Sequence, residues 1–483
     1  MLSQQLVKIL RSLNYEEMEA LNDFLYSPFF NKSKTIHKFW EAIRSYSPDF
    51  DNTSLTKEKL FTIVFPFKSY NYGTMKNLIH SFNGLLEEFL EIKFHKADKF
   101  QHDYNSLVYS IVKYYPELFK KRYSKVMKDF EKVSEGMEFH YLYKYQLIRL
   151  ASSFLNMESK RNKTLVDQGD SLVYFFLIHL FQVSYNLKVY SLSENLEHKN
   201  NLVDEVFKLF DIDELLKKIK INSHRDYEVV NLYYYLYLCR REPDNDKYFS
   251  IFKKMLLSSQ KYLHEFEFES MASGFIAFLN ERSYMGKEGT QIETSEFYKH
   301  LILKKINIGN TEDRISLHYF GMILKHLFEA VDVEYAGIFY EKYVSMLPEK
   351  DKISMKNFYT AYLYYSKKEF NKALEFSSLI KAETEKFKLY IKEFQLKCYF
   401  ELNEAEPFIY SLKAYRGLVY RSETINMNRK EYTKNFLNLT NLLFEYKVFK
   451  KVKLDEIKLN IRDNKMLNKE WIIQKLKEIE SVK

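Results

Sequence analysis

Twelve histidines are the first residues of this chain to consider for chemistry, because an imidazole can bind a metal ion or transfer a proton. A zinc site on a single helix needs two histidines three or four residues apart. The closest pair on one predicted helix, His318 and His326, is eight residues apart. His264-Glu265 begins like the helical motif of zinc proteases, but Phe268 stands where the second histidine would be. The spacing therefore predicts no metal site.

The sequence motifs of nucleotide binding and of nucleophilic catalysis are not present either. The segment Gly286-Lys-Glu-Gly289-Thr290 places its lysine before the second glycine. A phosphate loop needs several glycines ahead of Lys-Ser/Thr, so that backbone N–H groups converge on the phosphate. The segment is therefore predicted to be an exposed turn. The sequence contains no Gly-x-Ser-x-Gly elbow, and we expect no catalytic residue, no cofactor and no enzymatic activity.

The cysteines and the apolar runs indicate the cellular compartment of the protein. Cys239 and Cys398 lie in apolar helical surroundings, which predicts two buried thiols and a reducing compartment. The N-terminus lacks a signal-peptide core. The longest apolar run, Leu172 to Phe181, is interrupted by His179 and is far shorter than the roughly 18 residues of a membrane span. We expect a cytoplasmic protein without a membrane span.

The C-terminal segment carries most of the positive charge. Residues 411–483 contain 17 Lys/Arg and 9 Asp/Glu, an excess of +8 in a chain whose net charge is +9. Tyr415, Tyr420 and Tyr432 lie among these cations. The candidates for binding a partner are Lys413, Arg416, Arg421, Arg429, Lys430 and Lys434.

Three interpretations of this basic segment stay open. It can be a solvated face that caps a stack of helices and keeps it soluble. It can bind an acidic protein segment. It can also bind nucleic acid, whose phosphates would pair with the cations and whose bases would stack on the tyrosines.

The elements that must position these residues are helices. The chain has 11 Gly and 7 Pro, whereas average usage of roughly 12% would give about 58. Strand-rich folds need a turn every 8–12 residues and use Gly and Pro to make them. The composition therefore predicts an all-α protein, and the repeats described below predict helical hairpins stacked as an α-solenoid.

Residues 1–95 read as an N-terminal helical module. Asn14-Tyr-Glu-Glu17 is a capping-box start, and Pro28 predicts that the helix ends near Ser27. Phe29 and Phe30 are expected to fill the gap between neighbouring helices. Thr56 predicts another helix start, and the apolar positions from Met75 to Leu90 recur at helical spacing.

Residues 96–310 are predicted to be an irregular region of helical hairpins. The candidate helices are Tyr104–Tyr114, Pro116–Lys132, Glu138–Met157, Thr164–Ser184, Val203–Lys218, Tyr227–Cys239, Lys247–Ser258 and His264–Asn280.

Residues 311–415 carry a repeat typical of tetratricopeptide hairpins, and residues 416–483 are assigned to basic C-terminal helices. Ala336 and Ala373 occupy equivalent positions 37 residues apart, close to the 34-residue norm. The remaining repeat positions are Gly321, Leu324, Phe339, Tyr340, Tyr343 and Pro348 in the first unit, Ala361, Tyr364, Phe370 and Phe376 in the second, and Leu396, Tyr399, Leu402, Phe408 and Leu412 in a degraded third. Tyr364 and Phe376 are expected inside.

The chain also resembles an uncharacterised family of bacterial all-helical proteins. The shared features are the Ser27-Pro-Phe-Phe-Asn31 module, the tetratricopeptide-like stretch from Tyr364 to Phe376, and a basic end of the type Ala414-Tyr-Arg416. The resemblance extends over most of the chain and implies the fold, but no catalytic residue.

These features together favour a non-enzymatic scaffold or adaptor that binds a protein or peptide through its helical-repeat surfaces. The alternative is an RNA- or ribosome-associated protein that uses the basic C-terminal segment. A regulator in which a small ligand changes the curvature of the solenoid is a third hypothesis.

Overall fold

The computed structural model describes residues 4–47, 50, 56–132, 139–154, 161–194, 201–304, 315–382 and 384–481. Within these ranges the chain forms 24 α-helices and one short 3-10 segment, and no β-strand. The all-α prediction is therefore confirmed. By their packing the residues fall into two units, 1–130 with 149–158 and 131–148 with 159–483. The four segments expected from the sequence stay predictions.

The first unit contains seven complete helices in its described part. They are α1 (Gln4–Ser12), α2 (Tyr15–Tyr26), α3 (Lys34–Arg44), α4 (Lys57–Val64), α5 (Tyr72–Ala97), α6 (Lys99–Val112) and α7 (Pro116–Phe130). The next helix, α8 (His140–Phe154), has its residues up to Ile148 in the second unit and the rest in the first.

The remaining helices belong to the second unit. Those before residue 310 are α9 (Arg161–Glu194), α10 (Leu202–Leu209), α11 (Ile212–Asn222), α12 (His224–Arg241), α13 (Asp246–Ser259), α14 (Glu265–Met285) and α15 (Thr290–Leu303). Those after it are α16 (Leu317–Glu329), α17 (Val333–Tyr343), α18 (Glu349–Ser366), α19 (Phe370–Ser378), α20 (Glu385–Leu402), α21 (Ala405–Arg421), α22 (Met427–Phe449), α23 (Leu454–Asp463) and α24 (Lys469–Ser481), with a 3-10 turn at Val344–Met346.

Three helix boundaries predicted for the first unit, at Asn14, Ser27 and Thr56, are confirmed. The Asn14 side chain accepts a hydrogen bond from the N–H of Glu17 (2.9 Å), and the Glu17 carboxylate accepts one from the N–H of Asn14 (2.8 Å). The hydroxyl of Thr56 accepts a bond from the N–H of Lys59 at the start of α4 (3.2 Å). Ser27 is extended, with ψ 121°, because the ring of Pro28 disfavours the helical conformation. The helix expected from Tyr104 begins at Lys99 instead, because the Asp98 carboxylate accepts a hydrogen bond from the N–H of Gln101 (2.9 Å) and starts it.

The turn after α2 is held by Phe30 and Asn31. Phe30 stacks on Phe24 with ring centroids 4.4 Å apart, and the Asn31 amide donates to the carbonyl of Leu25 (2.9 Å). Phe29 is 85% exposed. The expectation that both phenylalanines fill the gap is therefore wrong for Phe29.

One predicted helix of the second unit is divided in two. The stretch expected from Val203 to Lys218 forms α10 and α11, with a break at Phe210. The Asp211 carboxylate accepts a hydrogen bond from the N–H of Glu214 (2.9 Å) and so starts a new helix. The acidic side chain acted as a cap, which the apolar periodicity alone did not reveal.

From α16 onward, helices that follow one another in the chain pack together in pairs. Ala336, Ala361 and Ala373 are at most 1% exposed, so the small residues of the predicted repeat lie where helices approach closely. Tyr364 and Phe376 stack on each other (5.4 Å) but are only half-buried, less than expected.

The C-terminal helices return to the core of the second unit. The N–H of Met466 donates to the carbonyl of Tyr284 on α14 (3.0 Å), and the N–H of Leu467 donates to that of Tyr432 on α22 (3.2 Å). Trp471 on α24 packs edge-on against Phe400 of α20 (5.2 Å). These contacts attach α24 and the residues just before it to positions up to 182 residues earlier in the sequence.

One stretch of α9, Thr164–Val189, is long and apolar enough to cross a membrane by length and composition. This is a weak indication, because the core helices of water-soluble proteins meet the same criterion. One side of the stretch, including Tyr174, Leu177 and Phe181, packs into the core of the second unit.

Gly321 tests how closely α16 and α20 approach. A Cβ at this position would lie 3.1 Å from Cε2 of the buried Phe387 ring. We expect Gly321→Val to destabilise the protein by about 1–3 kcal/mol through overpacking, measured by urea unfolding of the full chain. The matched control is Gly169→Val on α9, where a Cβ meets no atom within 4 Å. Equal effects of the two substitutions would contradict the close approach.

Candidate functional site

The cations predicted to bind a partner lie on two helices that pack against each other, α21 and α22. They are Lys413, Arg416 and Arg421 on α21, and Arg429, Lys430 and Lys434 on α22.

Five of these cations form what we call the basic surface: Lys413, Arg416, Arg421, Lys430 and Lys434. Lys413 and Arg416 are three residues apart on α21, and Lys430 and Lys434 are four apart on α22, so each pair shares a helix face. Two hydrogen bonds join these faces. The Arg416 guanidinium donates to the Asn438 side chain (3.1 Å), and the Lys430 ammonium donates to the carbonyl of Tyr420 (3.4 Å).

The charge of the basic surface is not neutralised within the described residues. None of its five cations forms an ion pair there, although Glu423 and Glu431 are near in sequence. Lys413, Arg416, Arg421 and Lys434 are exposed, and Lys430 is half-buried. A group of unpaired cations on one face gives a positive potential that attracts an acidic partner.

The tyrosines among these cations differ in accessibility. Tyr420 is 84% exposed, whereas Tyr415 is 2% exposed and belongs to the core. Tyr432 is half-buried and packs against Tyr284 (5.2 Å). Only Tyr420 of the three presents an open ring for stacking.

Arg429 lies apart from the basic surface. Its side chain lines a recess together with His318 and Lys386, and its Nη1 donates to the hydroxyl of Tyr284 (3.2 Å). Tyr284 is 145 residues away in sequence, so no local pattern could have separated Arg429 from its neighbour Lys430.

A buried network of charges lies between α16 and α20, and sequence reasoning missed it. The Lys325 ammonium is 2.8 Å from the Glu393 carboxylate, and that of Lys397 is 3.4 Å from both Glu393 and Glu329. Lys397 also donates to the Asn468 side chain, just before α24 (2.9 Å). The available signal was weak: Lys325/Glu329 and Glu393/Lys397 are oppositely charged pairs four residues apart, as on many solvated helices.

The network fixes the charge states of its members. Burial raises the pKa of Glu393, but Lys325 and Lys397 outweigh it and lower that pKa to about 2. Burial lowers the pKa of Lys325, and Glu329 and Glu393 outweigh that effect, so its pKa lies well above the usual value. Both charges are therefore kept at neutral pH.

Of the residues first considered for chemistry, His264, His326 and the two cysteines occupy structural positions. His318 and His326 both lie on α16, and burial lowers the pKa of His326 to about 4. The ring nitrogen of His264 accepts a bond from the N–H of Phe266 at the start of α14 (3.3 Å). Cys239 and Cys398 are buried free thiols, as predicted. Among the described residues no group of three or more His, Cys, Asp and Glu is placed to hold a metal ion.

The segment Gly286–Thr290 forms a turn, as predicted, but it is less exposed than expected: Glu288 is exposed, whereas Thr290 is buried. Gly286 (φ 74°) ends α14 and Gly289 (φ 78°) precedes α15, both in the left-handed conformation that favours glycine.

Comparisons of this chain with protein-family models, with curated proteins and with solved structures give no match. The site is accordingly interpreted from the contacts of its own residues.

Replacing Glu393 tests the buried network. Glu393→Gln would leave Lys325 and Lys397 with Glu329 as their one carboxylate, and we expect a loss of about 3–5 kcal/mol in the free energy of unfolding. Chemical unfolding measures it, with the exposed Glu404→Gln as the control, expected within about 0.5 kcal/mol of the native chain. The double variant Glu393→Gln/Lys397→Met should recover part of the loss. A cost of Glu393→Gln as small as that of the control would show that the charges are solvated.

Glu470, in the first turn of α24, gives a prediction for pH. Burial raises its pKa to about 7, and one carboxylate oxygen has no hydrogen-bond partner. Because this pKa lies above the ordinary value of 4.5, the folded chain favours the protonated, neutral carboxyl of Glu470. Its contribution to the free energy of unfolding is therefore complete below about pH 4.5 and is lost as the pH rises through 7.

Since Glu470 is partly exposed, the native chain should lose about 1–2 kcal/mol relative to Glu470→Gln between pH 4.5 and 8. Thermal and urea unfolding across this range measure the difference. The exposed Glu456→Gln should follow the native profile from pH 6 to 8. A constant difference between native chain and Glu470→Gln would refute the raised pKa.

Proposed function

We propose that this protein is a non-enzymatic scaffold or adaptor that binds an acidic segment of a partner protein on the basic surface of α21 and α22. The observation that carries the proposal is the group of five cations on adjacent helix faces, without a carboxylate partner among the described residues. Each exposed cation contributes little alone. Several of them together attract a segment of opposite charge and set its orientation.

We further propose that α16 to α21 are tetratricopeptide-like hairpins stacked as an α-solenoid. Support comes from the buried alanines at repeat positions, Ala336, Ala361 and Ala373, and from the pairwise packing of successive helices. Such stacks bind partners along an extended surface. In this arrangement α21 is the last helix of the stack and α22 follows it, so the basic surface continues the repeat surface. The buried thiols support a cytoplasmic location.

An acidic protein segment is favoured over RNA by the accessibility of the aromatic rings. Proteins that bind single-stranded nucleic acid without sequence preference stack successive bases on several aromatic side chains. Two open rings lie on the same helix as these cations, those of Tyr410 and Tyr420, and they are ten residues apart along α21, about 15 Å, which is too far for two successive bases. RNA or ribosome association is the second candidate, since Tyr420 and the unpaired cations would still suit a phosphate backbone and one stacked base.

The test measures binding of two probes of equal charge to the full chain: a labelled polyglutamate peptide and a single-stranded RNA. We expect the peptide to bind, and the triple variant Lys413→Glu/Arg416→Glu/Lys434→Glu to weaken its binding at least about tenfold, by fluorescence anisotropy at 100 mM salt. The matched control is Lys254→Glu/Lys356→Glu/Lys388→Glu, which changes the net charge equally at exposed positions outside the basic surface.

The outcomes separate the candidates. Tighter binding of RNA than of peptide, abolished by the first triple variant, would favour the second candidate. Equal losses in both triple variants would show that net charge alone attracts the probes. No binding of either probe at 50 mM salt would refute a role for the basic surface.

A further inference from the structure

A recess of about 210 Å³ lies between the starts of α16, α20 and α22. His318 comes from α16, Lys386 and Tyr390 from α20, and Asn426 and Arg429 from the start of α22. A water molecule takes about 30 Å³ in the liquid. The recess therefore has room for a group of several heavy atoms with some of its hydration.

The recess is lined by cations, and no carboxylate is among its described lining residues. Neither Lys386 nor Arg429 forms an ion pair in the described part of the chain. Arg429 has five N–H donors, and within the described part of the chain its side chain makes one hydrogen bond, to Tyr284. A guanidinium with donors to spare is the group that binds planar or tetrahedral oxyanions in bidentate fashion.

His318 adds a third polar group to the same wall. Its ring stacks on Tyr390 with the planes 8° apart, and its buried Nδ1 has no hydrogen-bond partner. Burial lowers the pKa of His318, and the positive charges of Lys386 and Arg429 lower it further. Both cations therefore act on this imidazole across the recess.

The N-terminus of α22 also favours a negatively charged ligand. α22 has 23 residues, and its capping residue, Asn426, lines the recess. The aligned peptide dipoles of a helix this long place a partial positive charge at its start. The cavity, the two cations without an ion-pair partner among the described residues, and the helix terminus all favour an anion.

We propose that this recess binds the phosphate group of a small ligand, as a site separate from the basic surface. Two full positive charges and a helix terminus match a dianion better than a monoanionic carboxylate. The size of the recess suits a phosphate group with a short organic substituent or with bound water.

The test is titration of the full chain with sodium phosphate by calorimetry, at constant ionic strength maintained with chloride. We expect the native chain to bind phosphate saturably. In the Lys386→Met variant the dissociation constant should be at least about tenfold higher, and the Arg429→Gln variant should show no measurable binding. The matched control is Lys388→Met, an exposed lysine two residues along α20 that does not line the recess, expected within about twofold of the native chain.

A second measurement, which does not need the Arg429→Gln variant, applies if that variant fails to fold. The imidazole resonance of His318, identified by its loss in His318→Gln, should shift on addition of phosphate in the native chain and less in Lys386→Met. A parallel titration with glycerol phosphate distinguishes the source of the group. Tighter binding of the ester would assign an organic phosphate, and equal or weaker binding would assign free phosphate.

Two results would overturn the proposal. One is phosphate binding no tighter than that of chloride, with an unchanged His318 resonance. The other is phosphate binding of native strength in Lys386→Met, which would place the anion elsewhere on the chain.

Discussion

Four charged side chains between α16 and α20, three of them buried and Glu329 half-buried, set the geometry of the second unit around them. Lys325 and Glu329 on α16 meet Glu393 and Lys397 on α20, and Asn468 ties the start of α24 to the same group. Charges removed from water are tolerated when each finds an opposite charge at short distance. Displacing either helix by a turn would leave a lysine or a carboxylate unmatched. The network therefore fixes the position of one helix along the other.

The recess follows from that position. His318 precedes Lys325 by two helical turns on α16, and Tyr390 precedes Glu393 by one turn on α20. The ring of Tyr390 has the Lys325 ammonium 4.9 Å from its centroid and stacks on His318. Whatever holds Lys325 and Glu393 in register also holds His318 against Tyr390. The wall of the recess formed by His318 and Tyr390 is therefore held in place by the same contacts that hold the buried network.

The local elements and the cations of the basic surface could be predicted from the sequence, whereas the buried network and the recess could not. Asn14, Pro28 and Thr56 act on the backbone within four residues, so the helix ends they produce are visible in the sequence. The pairs that define the sites are distant: Lys325 and Glu393 are 68 residues apart, and Arg429 and Tyr284 are 145 apart. No periodicity connects such positions, because they meet only after the helices have packed.

The cations of the basic C-terminal segment differ in their surroundings, which the amino-acid composition does not reveal. They occupy three environments: exposed on the basic surface, paired in the core as Lys475 is with Glu401, and unmatched in the recess as Arg429 is. Exposed cations are screened by water and salt, so their repulsion costs little. Paired cations in the core are offset by their carboxylates. Lys386 is exposed and is therefore screened by water, whereas Arg429 is half-buried, with no carboxylate among the described residues that line the recess. An anion that binds beside Arg429 only in the folded chain would stabilise the fold by mass action, which links ligand binding to folding stability at the recess.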